Sequence, residues 1–142
     1  MSTTAFNHGA LSLAGTMPLV FTAHSKYYFY FRMFISKYVL EQGAVPLNPF
    51  MLFDFFMLDT VDRNTVRRAN NSALARADEL LVFGPIADGV FAEIMQAQEQ
   101  GKPVRYFAIV QNTAIVPITL ANIEMELEVA EFKHMLTRKV SV

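Results

Sequence analysis

The sequence contains no cysteine, which excludes a disulfide framework and any thiolate metal site. No charge of one sign dominates: twelve Lys and Arg stand against thirteen Asp and Glu, a net charge of −1. That balance lacks the basic footprint of a nucleic-acid polymer binder. Long hydrophobic runs are missing too. The longest candidate, residues 27–40, carries Arg32, Ser36 and Lys37 and is too short and too charged to span a bilayer, so no membrane association is expected. The start of the chain has neither the basic residues, the apolar stretch nor the cleavage site of a secretory signal, and a cytoplasmic location is the expectation. His8, His24 and His134 lack ligand spacing, so no metal site is expected. There is no Walker loop, no G-x-G-x-x-G and no G-x-S-x-G elbow, and no cofactor is implied.

Apolar residues, by contrast, are plentiful: 53% of the 142 residues, with a mean hydropathy of +0.27. This length suits one domain, here taken as residues 17–142 behind a flexible lead-in over 1–16. Thirteen Phe and eight Met exceed the needs of one small core. The excess points to a pocket lining or a subunit interface, and so to a homo-oligomer.

The pattern alternates strand and helix. Residues 17–23 (MPLVFTA) form a short apolar run suited to a strand buried on both faces, and 27–41 reads as a helix stopped by Gln42-Gly43. Strands follow at 45–47, 79–83 and 104–110, with a further strand expected at 114–118. Helices are expected at 62–77, with Asp62 as N-cap and Val66, Ala69, Ala73, Leu74 and Ala77 inward, and at 89–100, with Asp88 as N-cap. The aromatic stretch 50–61 reads as a lid or short helix, and 123–139 as a final amphipathic helix. The expected fold is a single-domain, open, mainly parallel sheet of about four to five strands, flanked by helices as a Rossmann-like or flavodoxin-like three-layer sandwich.

In such sheets ligands bind beyond the carboxyl ends of the strands. Three segments fall there: His24-Ser25-Lys26-Tyr27-Tyr28, Asn48-Pro49-Phe50, and Gly84 to Glu93. Gly84 and Gly89 let a ligand approach the backbone, and a helix opening at Gly89 offers free N–H groups and a positive dipole end. Glu93 lies between Val90 and Ala97 on the helix surface, at the border of the apolar face. There a carboxylate can serve as nucleophile or base; a solvated helix glutamate is the competing reading. His24, Ser25 and Lys26 suit a phosphate or base, or a plain surface turn. Tyr27, Tyr28 and Tyr30 can stack or pack. Arg32 is placed to meet a phosphate or an internal carboxylate such as Asp59. Phe50, Phe53 and Phe56 suit a base pocket or core packing, and Arg67-Arg68 a solvated helix face.

The run ADELLVFGPIADGVFAEIMQAQEQGKPVRYF, with Ala77-Asp78, Leu80 to Phe83, Asp88-Gly89, Glu93 four residues after that glycine, and Gly101-Lys102-Pro103-Val104, resembles the nucleoside 2-deoxyribosyltransferase superfamily. That superfamily includes 2′-deoxynucleoside 5′-monophosphate N-glycosidases. Arg32, Leu40, Gly43 and Asn48-Pro49 extend the likeness into the first half, over roughly residues 17–107. The resemblance implies a small nucleoside or nucleotide as ligand and Glu93 as nucleophile toward the anomeric carbon, by the logic of retaining glycosidases. The departing base needs a proton or a hydrogen bond. The family often has an acidic residue eight positions before the aspartate of the Ala-Asp pair; this chain has Asn70, followed by Asn71. An amide orients a base or hydroxyl but is no acid. Asp88, or Asp54 or Asp59 of the lid, is left to substitute. A nucleotide-binding module without turnover is the alternative.

Overall fold

Five short runs of mostly apolar residues lie side by side as strands β1 (Leu19–His24), β2 (Val45–Leu47), β3 (Glu79–Phe83), β4 (Val104–Val110) and β5 (Ala114–Ile118). The computed structural model describes residues 5–53, 55–111 and 113–137. The sheet order is β2-β1-β3-β4-β5. The first three pairings are parallel, with Phe21 opposite Leu47 and Leu80, and Leu80 opposite Val104. β5 runs antiparallel to β4, Ala108 facing Val116, as a closing hairpin.

The central strands have no polar face because helices cover both sides. Phe21, Ala23, Leu80 and Val82 pack with Leu74, Val90, Ile94 and Ala97 from α3 (Arg63–Arg76) and α4 (Asp88–Glu99). Val20, Leu81, Phe83 and Phe107 pack with Ile35 and Val39 of α1 (Arg32–Glu41) on the other side. Each Val, Leu, Ile or Phe among them, fully buried, contributes roughly 1.5–3 kcal/mol. The result is the expected three-layer α/β sandwich with a mainly parallel sheet.

Local chemistry sets the element ends. The Asp62 carboxylate caps α3, accepting from the N–H groups of Asn64 at 3.0 Å and Thr65 at 3.2 Å. Gly43 and Gly101 take positive φ, +84° and +75°, directly after α1 and α4. The Ala-Asp and Gly-Lys-Pro motifs are fastenings. Asp78 accepts from the Leu19 N–H through its carboxylate at 2.8 Å, and Lys102 Nζ donates to the carbonyls of Ala75 and Ala77 at the end of α3.

Several elements differ from the sequence reading. The helix expected at 27–41 begins as a 3-10 helix, Lys26–Phe31, and becomes α-helical only at Arg32. The first strand starts two residues later and ends one residue later than expected, Leu19–His24, and leaves Met17 exposed. The aromatic stretch forms α2 (Pro49–Leu52) and then a 3-10 helix, Phe55–Thr60. Asp54 and the side chain of Phe56 lie outside the described residues. The single final helix expected at 123–139 is instead a 3-10 helix, Leu127–Phe132, leading into a short α5 (Lys133–Thr137), with residues 138 and 139 outside the described residues. Ile123 is extended rather than helical because residues 124–126 pair with Ile86: Ile86 N–H donates to Glu124 O, and Glu126 N–H to Ile86 O, both at 2.9 Å.

Candidate active site

The C-terminal ends of the strands open into a cavity of about 1000 Å³. β1 delivers His24 and Ser25 to one wall, α2 adds Pro49 and Phe50, α3 adds Val66, Arg67, Asn70 and Asn71, and the first turns of α4 add Asp88, Gly89 and Glu93. The segment held against Ile86 closes the remaining side with Glu126, Leu127 and Glu128.

Glu93 sits where the helix period puts it, beside buried Val90, Ile94 and Ala97, half-buried and lining the cavity. Its Oε2 accepts a 2.7 Å hydrogen bond from Asn70 Nδ2. Burial pushes the Glu93 carboxyl up to about 7, and the Asn70 hydrogen bond works in the opposite direction by favouring the anion. The Oδ1 atom of Asn70 is itself buried and accepts no hydrogen bond among the described residues.

His24 is buried and neutral in geometry. Its Nδ1–H donates to Ser25 O at 2.9 Å, and its Nε2 accepts from Asn48 Nδ2 at 3.0 Å. The amide orientation is fixed because Asn48 Oδ1 accepts from the Phe50 N–H at 3.0 Å, capping α2. Burial lowers the His24 pKa, with the cation of Arg32 acting the same way and the hydrogen bonds opposing. The imidazole also packs on the Phe50 ring, centroids 4.9 Å apart.

Glu93, Asp88, Asn70, His24, Ser25, Lys26, Tyr27, Phe50, Phe53 and Gly89, all singled out from the sequence, therefore line one cavity. Asn48, Tyr28, Arg32 and Gly84, singled out likewise, do not line it. Asn48 lies behind His24 as its partner. Tyr28 packs edge-on against Phe31, and burial with nearby Glu124 raises its pKa. The Arg32 guanidinium lies 3.8 Å from the Phe29 ring centroid and donates to the Phe29 carbonyl, and among the described residues no ion pair joins it to Asp59. Gly84 faces inward rather than toward a ligand, since a Cβ there would meet Ile123 Cγ1 at 2.5 Å.

Two further corrections concern caps. Asp88 is inside the first turn of α4, whose N-cap is Ala87, and its Oδ1 accepts from the adjacent Gly89 N–H at 2.6 Å. Ser25, besides lining the cavity, caps the 3-10 helix by accepting from the Tyr27 N–H at 3.1 Å. Glu126, Glu128 and Gln96 were not singled out from the sequence, and Arg67 read as a solvated helix residue. Glu126 and Glu128 arrive through the long-range pairing at Ile86, for which local sequence carries no signal. Among the described residues no cluster is placed to hold a metal ion, and no helix is long and apolar enough to cross a membrane.

Comparison with solved structures finds the same fold in a 2-desoxiribosyltransferase from Leishmania mexicana, at a TM-score of 0.56 and 13% identity, covering 88% of this chain and 89% of that one. No curated protein matches the chain. The family model described as "Domain of unknown function (DUF7768)" matches residues 24–107, from the histidine that ends β1 to the phenylalanine inside β4. The chain belongs to this DUF7768 family.

Proposed function

We propose that this protein cleaves or transfers across the N-glycosidic bond of a nucleoside or nucleotide, with Glu93 attacking the anomeric carbon. The observation that carries the reading is the Glu93–Asn70 pair on the wall of a cavity large enough for a nucleoside. The fold shared with a protein named as a 2-desoxiribosyltransferase adds support. With Oε2 held by Asn70, we assign Oε1 the attack on C1′. The C1′–N bond breaks with its electron pair going to the base, and water or a second base then displaces the carboxylate. His24 and Phe50 offer an aromatic wall, and Ser25 and Lys26 polar contacts to the sugar.

The test is incubation with deoxynucleosides, ribonucleosides and their monophosphates, with free base followed by chromatography. Base released by the wild type and lost in Glu93→Ala supports the reading; no base from any substrate defeats it. The amide at Asn70 favours a second reading, a binding module without turnover. Nucleoside-dependent thermal shifts with no base released support that one.

We also propose that a second copy of the chain covers the α1 side. Tyr27, Tyr30, Met33 and Leu40 are 74%, 72%, 65% and 54% exposed at helical spacing, next to exposed Met51 and Leu52 of α2. Lys37 stands between Met33 and Leu40, and this many exposed large apolar side chains on one side of a small domain suit an interface.

A further inference from the structure

Charge and proton supply in the cavity narrow the substrate, on the reading that Glu93 is the nucleophile. Among the described lining residues, Asp88, Glu126 and Glu128 outnumber the two cationic side chains, Lys26 and Arg67, even with Glu93 left out because burial favours its neutral form. This majority repels anionic ligands and attracts cationic ones. The aromatic side, His24 against Phe50 with Tyr27 and Phe53 nearby on the lining, suits a flat cation, whose charge is attracted to ring faces.

A neutral base leaves C1′ as an anion unless it receives a proton or a strong hydrogen bond. The group bonded to Glu93 is an amide, which has no proton to transfer. His24 is occupied at both ring nitrogens, by Ser25 O and by Asn48 Nδ2. Arg67 does not release its proton at any working pH. The Lys26 ammonium lies 5.6 Å from the Tyr27 ring centroid. The buried Oδ1 of Asn70 is a further acceptor, electronegative and unpartnered among the described residues. The remaining polar lining groups, amides aside, are the hydroxyls of Ser25 and Tyr27 and the carboxyl groups of Asp88, Glu126 and Glu128, and an ionised carboxylate only accepts. Around Glu93 the cavity therefore attracts positive charge more than it gives protons.

We propose that the substrate is a nucleoside whose base carries a fixed positive charge, an N-ribosylpyridinium or an N7-alkylated purine nucleoside. The bond from Glu93 Oε1 to C1′ forms as the C1′–N bond breaks. The electron pair stays on the ring nitrogen and cancels its charge, so the base departs neutral and no proton is consumed. Water then attacks C1′, the C1′–O bond returns its pair to the carboxylate, and the extra proton goes to solvent. The substrate also readies its own nucleophile. A cation beside Glu93 favours the carboxylate that burial holds back. The other titratable or charged side chains lining this cavity are Asp88 on α4, Arg67 on α3, His24 at the end of β1, Lys26 and Tyr27 after it, and Glu126 and Glu128 on the segment held against Ile86.

The test uses the wild-type chain with nicotinamide riboside and 7-methylguanosine, beside guanosine, inosine and their 2′-deoxy forms, at equal concentration. The expected result is base release from the cationic pair faster by about tenfold or more. For nicotinamide riboside, kcat is expected to fall off at lower pH than kcat/KM, because the bound cation stabilises the ionised carboxylate. Asn70→Asp, which offers a carboxyl in place of the amide, is expected to raise cleavage of the neutral nucleosides and narrow the gap. Neutral nucleosides cleaved as fast as the cationic pair overturn this inference while leaving the glycosidic reading intact. No base from any of them overturns both.

Discussion

Asn70 Nδ2 donates to Glu93 Oε2 at 2.7 Å while its own Oδ1 stays buried without a partner among the described residues. The hydrogen bond favours the anion and burial opposes it, leaving the Glu93 pKa near 7. Asn70→Ala removes the favourable term. Its kcat/KM profile is expected to shift to higher pH, with activity at pH 7 falling by roughly tenfold. An unshifted profile would mean that Asn70 does not set the ionisation of Glu93.

The same carboxyl makes stability depend on pH. A pKa raised from 4.5 to about 7 means that the folded state holds a proton the unfolded state has lost. The stability this gives is full below pH 4.5 and is lost as pH rises through 7, on the order of 3 kcal/mol. Glu93→Gln keeps the shape without the titration. Melting curves between pH 5 and pH 8 are therefore expected to show wild type losing stability relative to this variant. Parallel curves contradict the assignment.

Asn48 joins the His24 imidazole to the N-terminus of α2 through its two amide atoms. Asn48→Ala breaks both bonds inside the protein and is expected to cost about 1–3 kcal/mol in denaturant unfolding. His24 works on the acid side. Its lowered pKa means that its contribution is present above about 6.5 and is lost as pH falls through the folded value. His24→Gln is expected to flatten the acid limb of the stability curve.

Gly84 admits the side chain of Ile123, which anchors the segment carrying Glu126 and Glu128. Gly84→Ala is expected to destabilise by about 1–3 kcal/mol through overpacking. In an Ile123→Ala background the same change is expected to cost less, because the clashing atoms are gone. Equal costs in both backgrounds would place the strain elsewhere.

A second copy against the exposed α1 face makes the wild type heavier in solution than the 16.0 kDa chain. Met33→Asp puts a charge in the middle of that face. Light scattering is expected to show its mass dropping to that of one chain, with the melting temperature lowered as well. A wild type of 16.0 kDa rules the assembly out.

Strands β2 to β5 fall where the residue pattern puts them, because a strand buried on both faces must be an apolar run bounded by breakers. α3 is equally legible: Asp62 marks its start, and the small and apolar positions 66, 69, 73, 74 and 77 mark its inner side. The border position of Glu93 follows from helical spacing alone. These are local properties, written within a few residues of where they act. The 3-10 winding of Lys26–Phe31 and the broken tail were not legible, since their choice of hydrogen bonds depends on what they pack against.

The chain by itself determined the order of strands and helices and which strand ends carry polar residues, because hydrophobic period and end caps are short-range. Only the tertiary structure decided that Asn70 meets Glu93 across 23 positions, that Asn48 and Gly84 support the site from behind, and that residues 126–128 close its far side. Those contacts come from long-range packing and from backbone pairing at Ile86, and backbone hydrogen bonds leave no mark in the identity of the side chains they join.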